Sequence, residues 1–419
     1  MKRKLIETGK NILIAVLLLI LIVLMVASLP TAQIRQTPWL SEVLQPLAPI
    51  LGLPEAEFAY VETALPIMDA AAPVTVSVNN DAGRYTAMWD DEEIDRTFEN
   101  LGGVLAQALD TASDAQVAEL HQLTRALSGT SVCYCSLGSL PADLLAAWLD
   151  ARPAEPVQME VSSLALASED GETALYLVGK RILRAKTEVP AETLEHLLSE
   201  YIPDGSRFAY ETDTELSPLS VLPGSARLVR AVGRTVPLST KLSQRIAADL
   251  GFNPYGDAAY TDADGDTYYT EIGGALHITA QGLLTLTSTS GQRFAVPDRQ
   301  PGTLAEEGRR LVELTAGDTL GDARVYLTDI ETENEKTVLE FAYVINGIAV
   351  EGAGARVTFT GNAVTELRLQ LATYTVRSLM LHFLPPVQAA AILPGDADLR
   401  LIYSDTGANQ LTAGWKKPE

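Results

Sequence analysis

Gly274-Ala-Leu-His-Ile-Thr-Ala-Gln-Gly-Leu-Leu-Thr285 and Gly354-Ala-Arg-Val-Thr-Phe-Thr-Gly-Asn-Ala-Val-Thr365 are the two stretches that say most about the fold. Each has the pattern of a strand, a glycine turn and a second strand that begins with an apolar pair. A helix-like segment precedes each stretch, at 239–250 and at 303–314. The recurrence predicts an α+β protein with two similar helix-plus-antiparallel-sheet domains, over 216–300 and 301–419.

Upstream of this repeat, residues 74–215 predict a mixed α/β domain. Asp90 and the acids after it are suited to a helix N-terminus, and apolar residues follow at helical spacing. Further helices are predicted at 113–127, 141–150 and 190–201, and strands at 74–78, 84–89, 131–137, 157–167 and 173–185. Residues 217–224 are predicted to be a linker to the second half of the chain.

An apolar run near the N-terminus predicts a membrane anchor. Residues 12–29 contain no charged side chain, and as a helix they span roughly 28 Å, enough for the hydrocarbon core of a bilayer. Four basic residues (Lys2, Arg3, Lys4 and Lys10) precede the run, so we expect a cytoplasmic tip and a single-pass anchor over 1–29 and an extracellular C-terminus. The alternative is a cleaved signal peptide, but the run exceeds the usual ~7–15 residues.

Residues 30–73 predict a proline-rich stalk, because prolines interrupt every longer helical pattern. A short apolar stripe that begins at Trp39 lies just outside the predicted membrane. It either rests on lipid headgroups or packs on its own domain.

The charge balance restricts the classes of partner. The chain has a net charge of −23, and its first ten residues carry +3. An outer part this acidic argues against binding to nucleic acid or to anionic lipid.

The two cysteines, Cys133 and Cys135, are spaced to lie on one face of a strand, ~6.5–7 Å apart. Three interpretations are open for this pair: buried structural thiols, a strained disulfide, and a metal or redox pair. The first is favoured, because that distance is at or beyond the limit for an unstrained disulfide and no further ligand lies near in sequence.

A candidate metal site lies at Asp262-Ala-Asp264-Gly-Asp266. Three alternating carboxylates can bind Ca²⁺, but the glycine and glutamate of an EF-hand loop are not at their required positions. A hairpin turn in which Asp and Gly favour the backbone conformation is the other interpretation.

No motif indicates catalysis. The four histidines (His121, His196, His277 and His382) are far apart in sequence, and no metalloprotease, nucleophile-elbow or phosphate-loop motif is present. The acid pair Glu306-Glu307 is interpreted as a helix-start feature. We therefore name no catalytic, cofactor-binding or metal-binding residue, and a cell-wall hydrolase remains only as a third hypothesis.

Several segments resemble the YycH-type regulators of Gram-positive bacteria. They are Asp249-Leu-Gly-Phe-Asn-Pro-Tyr255, Tyr260-Thr-Asp-Ala-Asp-Gly265, Phe341-Ala-Tyr-Val-Ile-Asn-Gly-Ile-Ala-Val350, and Leu401-Ile-Tyr403 with Trp415. The layout of one membrane helix, a mixed region and two α+β domains is also similar. Over 30–215 the resemblance rests on layout alone.

The resemblance implies a non-catalytic, membrane-anchored partner of the sensor histidine kinase WalK in cell-wall signalling. It implies contacts through the membrane helix and the outer domains, and a second YycH- or YycI-type regulator as a further partner. The hairpin at 341–350 also resembles PepSY-like modules, so the alternative function is an extracytoplasmic binding or protease-inhibitor module. No cofactor is implied.

Overall fold

The computed structural model describes residues 70–155, 157–214, 216–224, 228–289, 294–392, 400–406 and 409–416. No helix in these ranges is both long and apolar enough to cross a membrane. The predicted anchor at 12–29 and nearly all of the predicted stalk at 30–73 lie outside the described residues.

The first half of the described chain forms a seven-stranded sheet with helices on both faces. The strands follow the order β2-β1-β4-β5-β6-β7-β3, and all of the pairs are antiparallel. The elements are β1 (Thr75–Asn80), β2 (Gly83–Met88), α1 (Asp91–Asp110), β3 (Ser113–Ala118), α2 (Leu120–Leu127), β4 (Ser131–Pro141), α3 (Ala142–Trp148), β5 (Glu160–Glu169), β6 (Glu172–Val178), β7 (Ile182–Pro190) and α4 (Ala191–Ser199).

Helix α1 begins where the sequence predicts. The Asp90 carboxylate accepts the backbone N–H groups of Glu92 and Glu93, which caps the helix. Residues at helical spacing, among them Phe98 and Leu101, are then buried against the sheet. The local signals at this helix are sufficient to place it.

The predicted helix at 113–127 is wrong in its first half. Residues 113–118 form the edge strand β3, which pairs with β7. Helix α2 begins only at Leu120. The Gln122 side-chain oxygen accepts the Glu119 backbone N–H at 2.8 Å, which caps the start of this helix. Likewise the predicted strand at 173–185 is two strands, β6 and β7.

The second half forms a twelve-stranded mixed sheet, and a small pair, β8 (Arg207–Phe208) and β9 (Val221–Leu222), lies before it. Its elements are β10 (Val229–Thr235), α5 (Thr240–Asp249), β11 (Ala259–Thr261), β12 (Thr267–Glu271), β13 (Gly274–Ile278), β14 (Leu283–Ser288), α6 (Pro301–Ala316), β15 (Arg324–Glu333), β16 (Lys336–Ile345), β17 (Ile348–Thr360), β18 (Ala363–Gln370), β19 (Thr373–Leu381), α7 (Pro386–Ile392), β20 (Arg400–Asp405) and β21 (Gln410–Lys416).

The two hairpins of the sequence repeat lie side by side in this sheet. The order β13-β14-β18-β17 joins them through an antiparallel pairing of β14 with β18, with Leu286 opposite Leu367. The predicted boundary near residue 300 therefore runs through one hydrogen-bonded sheet. The division into two similar domains stays a prediction.

The predicted mixed domain over 74–215 packs directly on the second half of the chain. The Asn346-Gly347 turn between β16 and β17 has positive φ at both residues, as a tight hairpin turn requires. The Asn346 backbone N–H donates to Asp91 at the start of α1, at 2.8 Å. Nearby, Arg324 on β15 contacts both carboxylate oxygens of Asp95 on α1, at 2.6 and 2.7 Å. One hydrophobic core extends through both halves.

Candidate functional site

An open, mostly apolar groove of about 620 Å³ lies at one corner of the twelve-stranded sheet. It is lined by residues 382–384 after β19, by Ala389 and Ile392 of α7, and by residues 413–415 of β21. Over this part, among the described strands, β21 pairs only with β20, because its contact with β10 ends at Leu411. In the described part of the chain, the groove is therefore a gap between β21 and the segment that follows β19.

Three aromatic rings stand together at the groove. Phe383 contacts Trp89 and Trp415 edge-on, with ring centres 5.2 and 5.8 Å apart, and the two indoles are 5.9 Å apart. The Trp415 indole N–H also donates to the Leu384 carbonyl at 2.6 Å. Edge-to-face packing of this kind is a favoured arrangement for aromatic rings. Trp89, from the first half of the chain, thus packs against the two aromatic rings that line the groove.

Exposed apolar side chains continue from the groove along its rim. Large hydrophobic residues are rarely exposed as a group in a soluble domain, and such groups mark interaction surfaces. Leu379 is 57% exposed and Ile392 is 72% exposed, and between them in the chain Met380, Leu384 and Val387 are also exposed. We call this set, with the groove residues, the groove surface.

Strand β19 forms the edge of the sheet next to this surface. Near its start the outer side is occupied, because the Tyr374 N–H donates to Leu320 and the Tyr374 carbonyl accepts from Asp322. Beyond Val376 no strand among the described residues pairs with that outer side. An edge of this kind can accept an extended segment from another chain.

The predicted metal candidate is a hairpin turn between β11 and β12. Asp262 accepts the backbone N–H groups of Asp264 and Asp266, at 3.0 and 2.9 Å. Asp266 accepts the Ala280 N–H and lies 2.9 Å from Nε2 of His277. These contacts, the backbone bond first, lower the pKa of Asp266. The described residues contain no group of three or more His, Cys, Asp or Glu side chains suited to a metal ion.

The four histidines do not converge on a site. The histidines lie on different elements: His121 on α2, His196 on α4, His277 on β13, and His382 at the groove. The ring of His277 stacks on Tyr268 at 4.4 Å between centres, and Tyr268 stacks on Tyr260. This column of rings supports the hairpins of β11 to β13.

The two cysteines lie on β4 as thiols, with their Sγ atoms 3.9 Å apart. A disulfide would need about 2.05 Å. Cys133 is fully buried in a small second core beneath α2. The hydrogen bond with the Cys135 thiol, together with burial, raises the pKa of Cys133 well above its ordinary range.

Cys133 is therefore expected to resist alkylation in the folded protein. The thiolate is the reactive form, and a raised pKa keeps it scarce at mildly alkaline pH. Iodoacetamide labelling followed by mass spectrometry should show Cys133 unmodified in native protein and modified in guanidinium chloride. Equal labelling rates in the two conditions would contradict this assignment.

The sequence reasoning missed the groove surface, because it assigned no element to residues 373–381. A signal was present: Thr373, Tyr374, Thr375 and Val376 are all strand-favouring residues. The gap between β21 and the end of β19 could not be predicted from the sequence, because it depends on strand pairings between distant segments.

Comparison with known proteins is informative at the level of structure. No family model matches the sequence, and no curated protein matches it. The crystal structure of YycH from Bacillus subtilis matches with a TM-score of 0.56 and 12% identity, over 84% of this chain and 95% of that one. The solution structure of PsbP from Synechocystis sp. PCC 6803 matches 28% of this chain and 82% of that one, at 16% identity and a TM-score of 0.17, too low to carry an argument. The chain therefore has the fold of YycH over most of its length.

Proposed function

We propose that this chain is a non-catalytic, membrane-anchored extracytoplasmic regulator of a two-component sensor histidine kinase that serves cell-wall homeostasis. The observation that carries the proposal is the YycH fold, which extends over 84% of the chain. The sequence resemblance at 249–265, 341–350 and 401–415 supports it independently. At 12% identity the structural likeness shows the fold alone. The partnership with a kinase is what we propose.

The predicted anchor sets the membrane topology that we propose for the chain. Residues 12–29 are apolar and follow a basic segment, which is the pattern of a helix with a cytoplasmic N-terminus. The ectodomain would then face the same compartment as the sensor region of the kinase. The anchor itself is a second candidate contact, since it would lie in the same membrane as the kinase helices.

The proposal predicts that the full-length chain co-purifies with a sensor histidine kinase of the cells that produce it. A matched variant replaces residues 12–29 with an unrelated apolar helix of equal length, which preserves the location of the ectodomain. Co-purification with both forms would place the contact in the ectodomain, and co-purification with the native anchor alone would place it in the membrane. No co-purification with either form would contradict the proposal.

A second candidate function, a binding or protease-inhibitor module, is favoured by the groove surface. A groove beside an unpaired edge strand is the geometry that receives extended peptides. Inhibition of a protease by the full-length chain, with no effect of its deletion on kinase output, would select this function over the first.

A further inference from the structure

Residues 246–292 form a stretch in which acidic side chains are not balanced by basic ones. The stretch includes β11 to β14 and contains no lysine or arginine. Its acids are Asp249, Asp257, Asp262, Asp264, Asp266 and Glu271. Asp249 lies next to an arginine of α5, and Asp266 lies next to a histidine. Within the described part of the chain, Asp257 and Asp264 form no ion pair, and both are exposed. This end of the sheet therefore carries negative charge that the described fold does not neutralise.

A column of stacked rings (Tyr260, Tyr268 and His277) ends at the edge of the sheet. Tyr260 and Tyr268 are nearly parallel, with ring centres 4.9 Å apart, and Tyr268 and His277 are 4.4 Å apart. The rings stack across the strands from β13 to β11, and β11 is the terminal strand among the described strands. The outer ring face of Tyr260 is thus directed past the sheet edge, and Tyr260 is 57% exposed. The face of a tyrosine ring attracts cations.

Carboxylates lie on the same side of the sheet as this column. Asp262 comes two residues after Tyr260, and side chains two apart along a strand share a face. Desolvation, followed by the carboxylates of Asp262 and Asp266, raises the pKa of Tyr268. A cation placed on the outer face of Tyr260 would therefore also be attracted by carboxylates on the same face.

The backbone of β11 is open on its outer side. The Asp262 N–H donates across to the Asp266 carbonyl at 2.9 Å. Successive residues of a strand direct their backbone groups to opposite sides, so the N–H and carbonyl of Thr261 point away from β12. Thr261 is exposed, and no described strand pairs with this side of β11. An edge of this kind can accept an extended segment.

We propose that the outer edge of β11 binds an extended segment of a partner protein that carries arginine or lysine at alternate positions. The backbone of the segment would pair with Thr261. One basic side chain would stack on the outer face of Tyr260, and the next one on the same face would lie near Asp262. The open backbone favours a protein segment over a lipid headgroup, which could use the ring but not the edge. The proposal goes beyond the proposed function, because it does not depend on which protein carries the segment.

Calorimetric titration of the full-length protein in nanodiscs of zwitterionic lipid tests this chemistry. The probes are capped heptapeptides of valine and threonine with arginine, citrulline or glutamate at the third and fifth positions. Citrulline keeps the planar shape of arginine and removes its charge. We expect the arginine peptide to bind about tenfold more tightly than either of the others. Equal binding of the three peptides would overturn the proposal.

Thr261 provides a matched pair of variants that tests the strand edge. Thr261→Pro removes the outward N–H, and proline is accepted on an edge strand where that group faces solvent. We expect it to weaken binding of the arginine peptide about tenfold, because it blocks backbone pairing. Thr261→Val keeps the N–H and should bind like wild type, with thermal unfolding used to show that both variants fold. Equal binding by the two folded variants would overturn the proposal.

Tyr260→Leu tests the ring without altering the backbone. Leucine keeps an apolar side chain on β11 but has no π face, so we expect the arginine peptide to bind about fivefold more weakly. The control Tyr255→Leu removes another exposed tyrosine, which precedes β11, and should bind like wild type. Unchanged binding by Tyr260→Leu would overturn the proposal.

A lipid headgroup is the alternative ligand for the outer face of Tyr260. Free phosphocholine supplies the quaternary ammonium group of such a headgroup, and its binding can be measured by the same titration. We expect the arginine peptide to bind whether or not phosphocholine does. Binding of phosphocholine that requires Tyr260, with no binding of the arginine peptide, would assign the ring to a headgroup and overturn the proposal.

Discussion

Replacing Glu306 with alanine is expected to lower the free energy of unfolding by about 3–5 kcal/mol. Glu306 on α6 accepts the Trp148 indole N–H at 2.6 Å and pairs with Arg309 at 3.0 Å. Both charged residues are less than 10% exposed. Alanine would remove a carboxylate that contacts both a buried arginine and a buried indole N–H, and the loss of a partner from a buried polar group is costly.

Urea unfolding measures this loss, and Glu335→Ala is its control. Glu335 forms an ion pair with Arg299 in which both side chains are more than half exposed. Removal of an exposed pair costs about 1 kcal/mol or less. Similar losses in the two variants would show that the contact of Glu306 with Trp148 and Arg309 does not stabilise the fold.

Gly138→Ala is expected to destabilise the protein by about 3 kcal/mol, the upper end of the range for overpacked sites. An ideal Cβ at Gly138 lies 1.9 Å from the Thr328 carbonyl oxygen and 2.5 Å from the Thr328 Cα. At this position β4 of the first sheet crosses β15 of the second. The backbones must separate to admit a methyl group, which would loosen the contact between the two halves.

The matched control is Gly103→Ala on α1. A Cβ at Gly103 meets no atom within 4 Å, and the residue lies on the exposed side of the helix. Alanine there is expected to raise stability by about 0.5–1 kcal/mol, because glycine is a poor helix former. A loss at Gly103 equal to that at Gly138 would contradict the steric explanation.

Local signals in the sequence predicted many individual elements. Helix α1 follows from Asp90 and its apolar spacing, and the hairpins of β11 to β14 follow from glycine turns such as Gly265 and Gly282. The α+β class follows from these elements. Each of these features depends on residues that are close together in the sequence. Hydrophobic periodicity and turn-forming residues carry information over that short range.

Long-range pairings explain what the sequence did not reveal. Strand β3 is stabilised by β7, about seventy residues away, and not by its own pattern. Glu306 was interpreted as a helix-start acid, but the helix begins at Pro301, and Glu306 instead meets Trp148 from the other half of the chain. The groove surface arises in the same way, from the meeting of β19, α7 and β21.

Kinase output in cells is the measurement that decides whether this chain regulates a sensor histidine kinase. The measurement is the phosphorylated fraction of the cognate response regulator in cells that lack the chain, compared with cells in which the full-length chain is restored. We expect deletion to change this fraction and the restored chain to return it to its original value. An unchanged fraction after deletion would contradict regulation of the kinase by this chain.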